Sequence, residues 1–183
     1  MKILITGGTG FIGTYFVDRF LDLGHEVTLL DLWVPERERD NVAFVHGDVR
    51  DPAAVRRALS GCDAVLHLAA AHHDFGIEPA TFFSVNEGGM KELCDGMSEV
   101  GISNLCFYSS VAVYGVEGEH QESEAPQPSN HYGASKRAAE EVMAEWVRQD
   151  ESRSGLVIRP TMTFGPGNFA NMHKLIRQID RGM

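Results

Sequence analysis

The sequence predicts an α/β fold, a doubly wound parallel sheet with helices on both faces. Three observations carry that reading. Apolar runs of strand length alternate with helix-length amphipathic segments along the chain. The first such run passes at once into a glycine-rich turn, Gly7-Gly8-Thr9-Gly10-Phe11-Ile12-Gly13, and a helical pattern follows it. Residues able to do chemistry recur just after the strands, where an open α/β sheet places its ligands.

Each element has its own signal. Ile3, Leu4 and Ile5 make a continuous apolar run within 2–6, suited to a strand buried on both faces. Phe16, Val17, Phe20 and Leu21 then repeat at helical spacing up to Gly24, a plausible C′ glycine. Strands follow at 26–30 and 42–46. Asp51-Pro52 supplies an N-cap and a first-turn proline for a short helix. A strand at 63–68 precedes a long helix over 81–100, closed by Gly101. Strand five, 104–109, leads into a loop at 115–131 rich in Glu, Pro, Ser and Gly. A helix over 132–152, a sixth strand at 156–159 and a last helix after Asn168 complete the order. With no internal repeat and no linker, the 183 residues read as one domain large enough to bury a core.

Composition narrows the function. The chain is 43% hydrophobic and 23% charged, with a formal net charge of −10, which argues against a nucleic-acid partner. No apolar run approaches membrane-spanning length and no signal peptide precedes the first strand, so a cytoplasmic protein acting on a small molecule is expected. Cys62, Cys94 and Cys106 are odd in number and lack C-x-x-C spacing, as buried thiols of a reducing compartment would.

The glycine turn is read as a dinucleotide cradle. Gly7, Gly10 and Gly13 allow a tight turn, close approach of a pyrophosphate and close helix–strand packing; Gly8, Gly10 and Gly13 also satisfy G-x-G-x-x-G, so spacing leaves two related fingerprints open. The helix beginning near Phe11 and Ile12 offers its positive end to phosphates. Asp31 ends strand two, 18 positions after Gly13, where a carboxylate can accept from ribose hydroxyls and repel a 2′-phosphate, favouring NAD over NADP. Asp48 and Val49 follow strand three, placed to bond and pack against adenine. Tyr132 and Lys136 stand at i and i+4, so phenol and ammonium share a helix face. A nearby cation stabilises phenolate, which a phenol of ordinary pKa about 10 needs for base chemistry at neutral pH. Ser109 and Ser110 end strand five, and Ser110 is suited to hydrogen-bond a substrate oxygen beside Tyr132. His72-His73-Asp74 invites a metal, but adjacent loop histidines seldom converge, and no metal is expected. Trp33 and Trp146 fit packing or helix-face roles, and the acids of 117–124 a solvated loop.

Taken together these motifs resemble the extended short-chain dehydrogenase/reductase family, in its NAD-dependent epimerase/dehydratase branch. The resemblance runs from Met1 to about Gly167. Beyond the glycine turn and Asp31 it includes Gly47-Asp48-Val49, His67-Leu68-Ala69-Ala70, Val85-Asn86-x-x-Gly89 and Ser109-Ser110-x-x-Val113-Tyr114-Gly115. Glu124-x-Pro126-x-Pro128, Tyr132-x-x-x-Lys136, Arg159-Pro160 and Gly165-Pro166 continue it. It implies a Rossmann fold binding NAD, with Ser110, Tyr132 and Lys136 as the catalytic serine, tyrosine and lysine. Leu68, Ala69, Ala70, Ser109 and Arg159 would lie along the cofactor, and Asn86 would brace the site.

Departures from the family pattern sharpen the expectation. Sugar 4,6-dehydratases carry Thr-Asp-Glu where this chain has Ser110-Val111-Ala112, so the acid and base for dehydration are missing. Met162 stands where nucleotide-sugar epimerases tend to have a substrate-binding asparagine. A nucleotide-sugar epimerase is the leading reading, with a reductase or hydroxysteroid-type dehydrogenase, or a non-catalytic NAD-binding fragment or sensor, as alternatives. The family builds most of its substrate domain from sequence corresponding to positions past 183, so residues 1–183 read as the NAD-binding domain, with apolar surface exposed near 160–183. The resemblance also implies a homodimer with the helices at 81–100 and 132–152 at its centre; they offer Phe82, Val85, Met90, Leu93, Met97, Ala138, Val142, Met143 and Trp146 at helical spacing, of which part must cover the sheet and the remainder, with Met97 and Trp146 as the positions to test, can face a partner.

Overall fold

The computed structural model describes residues 1–72, 76–115, 118–168 and 171–182, with Asn171 described by its backbone. Six strands form one parallel sheet: β1 Lys2–Thr6, β2 Glu26–Asp31, β3 Val42–His46, β4 Ala64–His67, β5 Asn104–Tyr108 and β6 Ser154–Ile158. Their order across the sheet is β3-β2-β1-β4-β5-β6, the doubly wound arrangement expected. The winding direction reverses between β1 and β4, which opens a crevice at the carboxyl ends of those strands. Register sets its floor: Thr6 lies beside both Leu30 and His67, and Gly7 N donates to Leu30 O at 2.9 Å.

The helices follow their sequence signals, with instructive shifts. α1 is Phe11–Asp22, followed by Gly24 at φ +77°. α2 is Pro52–Leu59, capped by Asp51, whose carboxylate accepts from Ala53 N at 2.9 Å. The single helix expected over 81–100 is three pieces: α3 Pro79–Phe82, a π-helical turn Phe83–Gly88, and α4 Gly89–Val100 ending on left-handed Gly101. The wider π turn carries Asn86 inward, a distortion that hydrophobic periodicity does not encode. α5, His131–Arg148, starts one residue earlier than expected because Asn130 caps it, accepting from Gly133 N at 2.7 Å. It stops short of 152 because Asp150 closes a turn on Ser152 N at 2.9 Å. β6 begins at polar Ser154, paired beside Asn104, and gives way at Arg159-Pro160, where proline has no N–H to offer the ladder. The last helix, α6, is Asn171–Asp180.

Alternation along the strands divides the core. Leu4, Leu30, Val65, Leu105 and Phe107 pack under α2, α4 and α5, against Val55, Leu59, Met90, Leu93, Met97, Met143 and Trp146. Ile3, Ile5, Val27, Leu29 and Leu66 face the other way, against Val17, Phe16 and Phe20 of α1. This packing corrects the expected dimer contact. Met97 and Trp146 are 0% and 4% exposed within a single chain, and Phe82, Met90, Leu93 and Met143 are buried too. α4 packs against α2 and α5, so most of these apolar side chains are used inside the molecule, while Val85, Ala138 and Val142 are half-buried. Trp146 also donates its Nε1–H to Ser98 Oγ at 2.9 Å. Trp33 is the reverse correction: it packs in no core and is exposed. Exposed apolar side chains do gather in the last segment, Leu156, Met162, Phe164, Leu175, Ile176 and Ile179.

Cys62 and Cys94 are buried free thiols and Cys106 is half-buried; burial pushes the pKa of each up. Among the described residues no helix is long and apolar enough to cross a membrane.

Candidate active site

A cleft of about 1140 Å³ lies over the carboxyl ends of the strands, lined at one end by Gly7, Gly10, Phe11, Ile12 and Gly13. Gly7 has φ +69°, and a Cβ there would stand 2.7 Å from Ala69 N. At Gly13 a Cβ would meet the Gly8 backbone at 2.5 Å, so helix and turn touch because neither carries a side chain. Gly10 caps α1 without a side-chain acceptor, and no acid occupies the first turn, so the positive helix end is left to the cleft.

Asp31 lines the same cleft and ties its parts together. Its Oδ2 accepts from Thr9 N at 3.0 Å and Thr9 Oγ1 at 2.8 Å, and its Oδ1 from Trp33 N at 3.2 Å. A carboxylate has about four acceptor sites, so these bonds orient Asp31 without exhausting it. Asp48 pairs with Arg50, taking Nε at 3.0 Å and Nη2 at 2.6 Å; these bonds hold its pKa below the ordinary carboxylate value. Val49 is buried against Gly89, where a Cβ would come within 2.7 Å of Val49 Cγ2.

The other end is assembled from distant parts of the chain. Ser110, Tyr132 and Lys136 all line the cleft. Lys136 is 2% exposed and donates from Nζ to Tyr108 O at 2.7 Å, with the ammonium 4.6 Å from the centre of the Phe107 ring. Burial pulls its pKa down to about 7, against an upward push from Glu140 one turn further on. Tyr132 is half-buried, its ring edge-on to Phe82 at 6.3 Å. Ser110 Oγ accepts from Ala112 N at 3.1 Å, capping a short 3₁₀ turn, Val111–Tyr114.

Asn86 joins the pieces. Its Oδ1 accepts from Ala71 N at 2.8 Å, and its Nδ2 donates to Ala71 O at 3.0 Å and to Ser135 Oγ at 2.8 Å. Ser135 in turn donates to Tyr132 O at 2.8 Å. One buried amide therefore ties the segment after β4 to the helix that carries Tyr132 and Lys136. Beneath it, Thr6 Oγ1 lies 2.6 Å from His67 Nδ1 and accepts from Ala69 N at 3.2 Å. His67 is fully buried and stacked on Phe107; desolvation, then the Lys136 charge, lower its pKa to about 3, so it is neutral.

Residues 3–182 match the family described as NAD dependent epimerase/dehydratase. The chain belongs to that family. It is 36% identical to the Escherichia coli O157:H7 N-acetyl-alpha-D-glucosaminyl-diphospho-ditrans,octacis-undecaprenol 4-epimerase, over 99% of this chain and 54% of that protein. It is 33% identical to a Neisseria meningitidis serogroup C UDP-glucose 4-epimerase, over 86% of this chain and 52% of that one. Among solved structures, the Thermus thermophilus UDP-glucose 4-epimerase complex with NAD is 33% identical with a TM-score of 0.79, covering 87% of this chain and 54% of that chain. The chain thus spans about half the length of the curated relatives it matches.

Within this epimerase/dehydratase frame, the cleft fits a dinucleotide on its own features. The turn carries no side chain at Gly7, Gly8, Gly10 and Gly13, the α1 end has no side-chain cap, Asp31 is oriented, and Ser109 Oγ is buried at the cleft with no partner among the described residues. Leu68, Ala69 and Ala70 line the cleft, whereas Asn86 and Arg159, also expected at the cofactor, do not. Asn86 lies behind it as a brace. Arg159 is used elsewhere: it clamps Glu140 through Nε at 2.9 Å and Nη2 at 2.6 Å and bonds the Tyr114 hydroxyl, joining β6 to α5. Its guanidinium is consumed by that pair, which raises its pKa further. His72 Nδ1 lies 3.2 Å from Ala70 O, while His73, Asp74 and Glu117 fall outside the described residues. Thr9, Ser135 and Glu140 join the site without a motif of their own in the sequence; a serine beside the lysine and an acid four residues after it are the signals that the sequence carries.

Proposed function

We propose that this chain is the NAD-binding domain of a nucleotide-sugar epimerase, and that Ser110, Tyr132 and Lys136 carry its chemistry. The observation behind this reading is the convergence of those three side chains on the cleft that also holds the glycine turn and Asp31. The 4-epimerase names of its relatives supply the substrate class. Gly7, Gly10, Gly13 and the α1 end would hold the pyrophosphate, Asp31 the adenosine ribose, and Ser109 and Lys136 the nicotinamide half. NAD, when bound, supplies a carbon that reversibly accepts hydride.

The chain's own residues handle the proton. Tyr132, as phenolate, takes the proton from the substrate hydroxyl on the carbon being inverted and later returns it. Ser110 holds the same oxygen by a hydrogen bond. Lys136 keeps one N–H on Tyr108 O and has two more for the ribose and for stabilising the phenolate. Val111 and Ala112 at the cleft provide neither acid nor base, which disfavours dehydration. A reductase for an apolar substrate is the second reading, favoured by Met162 on the cleft wall.

The reading extends to a cytoplasmic protein with free thiols that forms a homodimer. With Met97 and Trp146 buried, copies would meet through the outward faces of α4 and α5, which carry Lys91, Asp95, Glu141 and Glu145. The test is calorimetric titration of the chain with NAD and NADP, together with turnover of UDP-glucose by a version carrying a substrate domain. NAD is expected to bind more tightly, and Tyr132→Phe to abolish turnover while NAD binding stays within about twofold. Equal affinity for the two cofactors, or substantial turnover by Tyr132→Phe, overturns the reading.

A further inference from the structure

Ser110 opens a short turn, Val111–Tyr114, so its place beside Tyr132 on α5 has to be fixed by what that turn touches. The end of β6 holds its start. Ser109 N donates to Ile158 O at 2.7 Å and Val111 N to Pro160 O at 3.2 Å, one bond on each side of Ser110. The first turn of α5 holds its middle: a Cβ on Gly133, next to Tyr132, would stand 2.2 Å from Ala112 O. Its far end is Tyr114, buried, with the ring stacked on His120 at 5.4 Å between centroids.

Arg159 closes this frame. Its Nε and Nη2 donate to the two Glu140 oxygens at 2.9 and 2.6 Å, and its Nη1 donates to the Tyr114 hydroxyl. Glu140 lies on α5, one turn after Lys136. One guanidinium therefore spans the end of β6, the helix of Tyr132 and Lys136, and the turn that Ser110 opens. The planar fork of arginine fixes three donor directions at once, whereas an ammonium is a point charge on a flexible stem. We propose that Arg159 is a positioning residue, which acts through Tyr114 to hold Ser110 in register with Tyr132. The inference rests on the catalytic roles proposed for Ser110 and Tyr132.

Two mild variants separate this from simple support of the fold. Tyr114→Phe deletes one hydroxyl and keeps the ring, and Arg159→Lys keeps a cation for Glu140. Val113 N and Gly115 N close the turn on Ser110 O and Ala112 O. In the chain as it stands, amide exchange at those two positions should quicken about tenfold in both variants, with β1 unaffected. In a version carrying a substrate domain, kcat with UDP-glucose should fall about tenfold in each variant, while KM and NAD affinity stay within about twofold. Because both changes cut the same bond, the double variant should be no slower than the slower single one. Unchanged exchange in Tyr114→Phe overturns the proposal. Quickened exchange with wild-type kcat also overturns it, by leaving the clamp a support for the fold alone, and losses that add in the double variant overturn the route through Tyr114. Failure of the unsubstituted enzyme to turn over UDP-glucose would instead remove the epimerase reading, and this inference with it.

Discussion

At the glycine-rich end of the cleft the backbone forms the site, whereas at the Ser110–Tyr132–Lys136 end side chains from three separate segments must be brought together. The first end lies within residues 7–13 plus Asp31, and its shape follows from the absence of Cβ atoms and one oriented carboxylate. The second needs Tyr108 O, Asn86, Ser135 and the packing of α5 on the sheet. The two ends should therefore fail differently. The glycine end should break by steric overlap, and the other by loss of hydrogen bonds and changes in charge.

The largest effect should come from Gly13→Ala. The added Cβ would stand 2.5 Å from the Gly8 backbone, which cannot swing aside as a flexible side chain would. A loss of about 3 kcal/mol or more is expected in urea unfolding, with loss of NAD binding. Wild-type stability in this variant would show that the turn yields, and the contrast between the two ends would fall.

The second effect is a pH dependence at the opposite end. Lys136 has its folded-state pKa lowered to about 7 from 10.5, chiefly by burial. Below the folded value both states are protonated, and the fold carries the full cost of burying the charge. Between the two values the unfolded chain binds the extra proton, so stability rises with pH, and the dependence ends above the unfolded value. Lys136→Met should remove that rise, a slope of up to about 1.4 kcal/mol per pH unit, in denaturation followed from neutral to alkaline pH. Identical slopes in the two proteins would mean that the ammonium is as well solvated in the fold as in water.

The smallest effect should come from Asn86→Ala. It leaves the Ala71 N–H and C=O without their side-chain partner and costs about 2 kcal/mol. Its sharper readout is local: amide exchange at Ala71 and at the start of α5 should accelerate together, while residues 7–13 are unaffected. Acceleration at one of the two places and not the other would show that Asn86 does not couple them.

The strand and helix order, the parallel doubly wound sheet and the glycine turn were legible in the sequence, as was the placing of Asp31, Tyr132 and Lys136 at the carboxyl ends of the strands, where they line one cleft. These rest on local rules: apolar runs and periodicity, glycine where no Cβ fits, and i, i+4 spacing on one helix face. Tertiary structure decided what each apolar or charged side chain meets, because burial and pairing depend on residues far away in the chain. Met97 and Trp146 have the periodicity of an interface and are buried between α4, α5 and their neighbours; Trp33 has the character of a core residue and faces water. Arg159 follows strand six as a cofactor ligand would, yet Glu140 and Tyr114 claim its guanidinium. The π turn that carries Asn86 inward has no sequence periodicity of its own, and it forms where that amide finds Ala71 and Ser135.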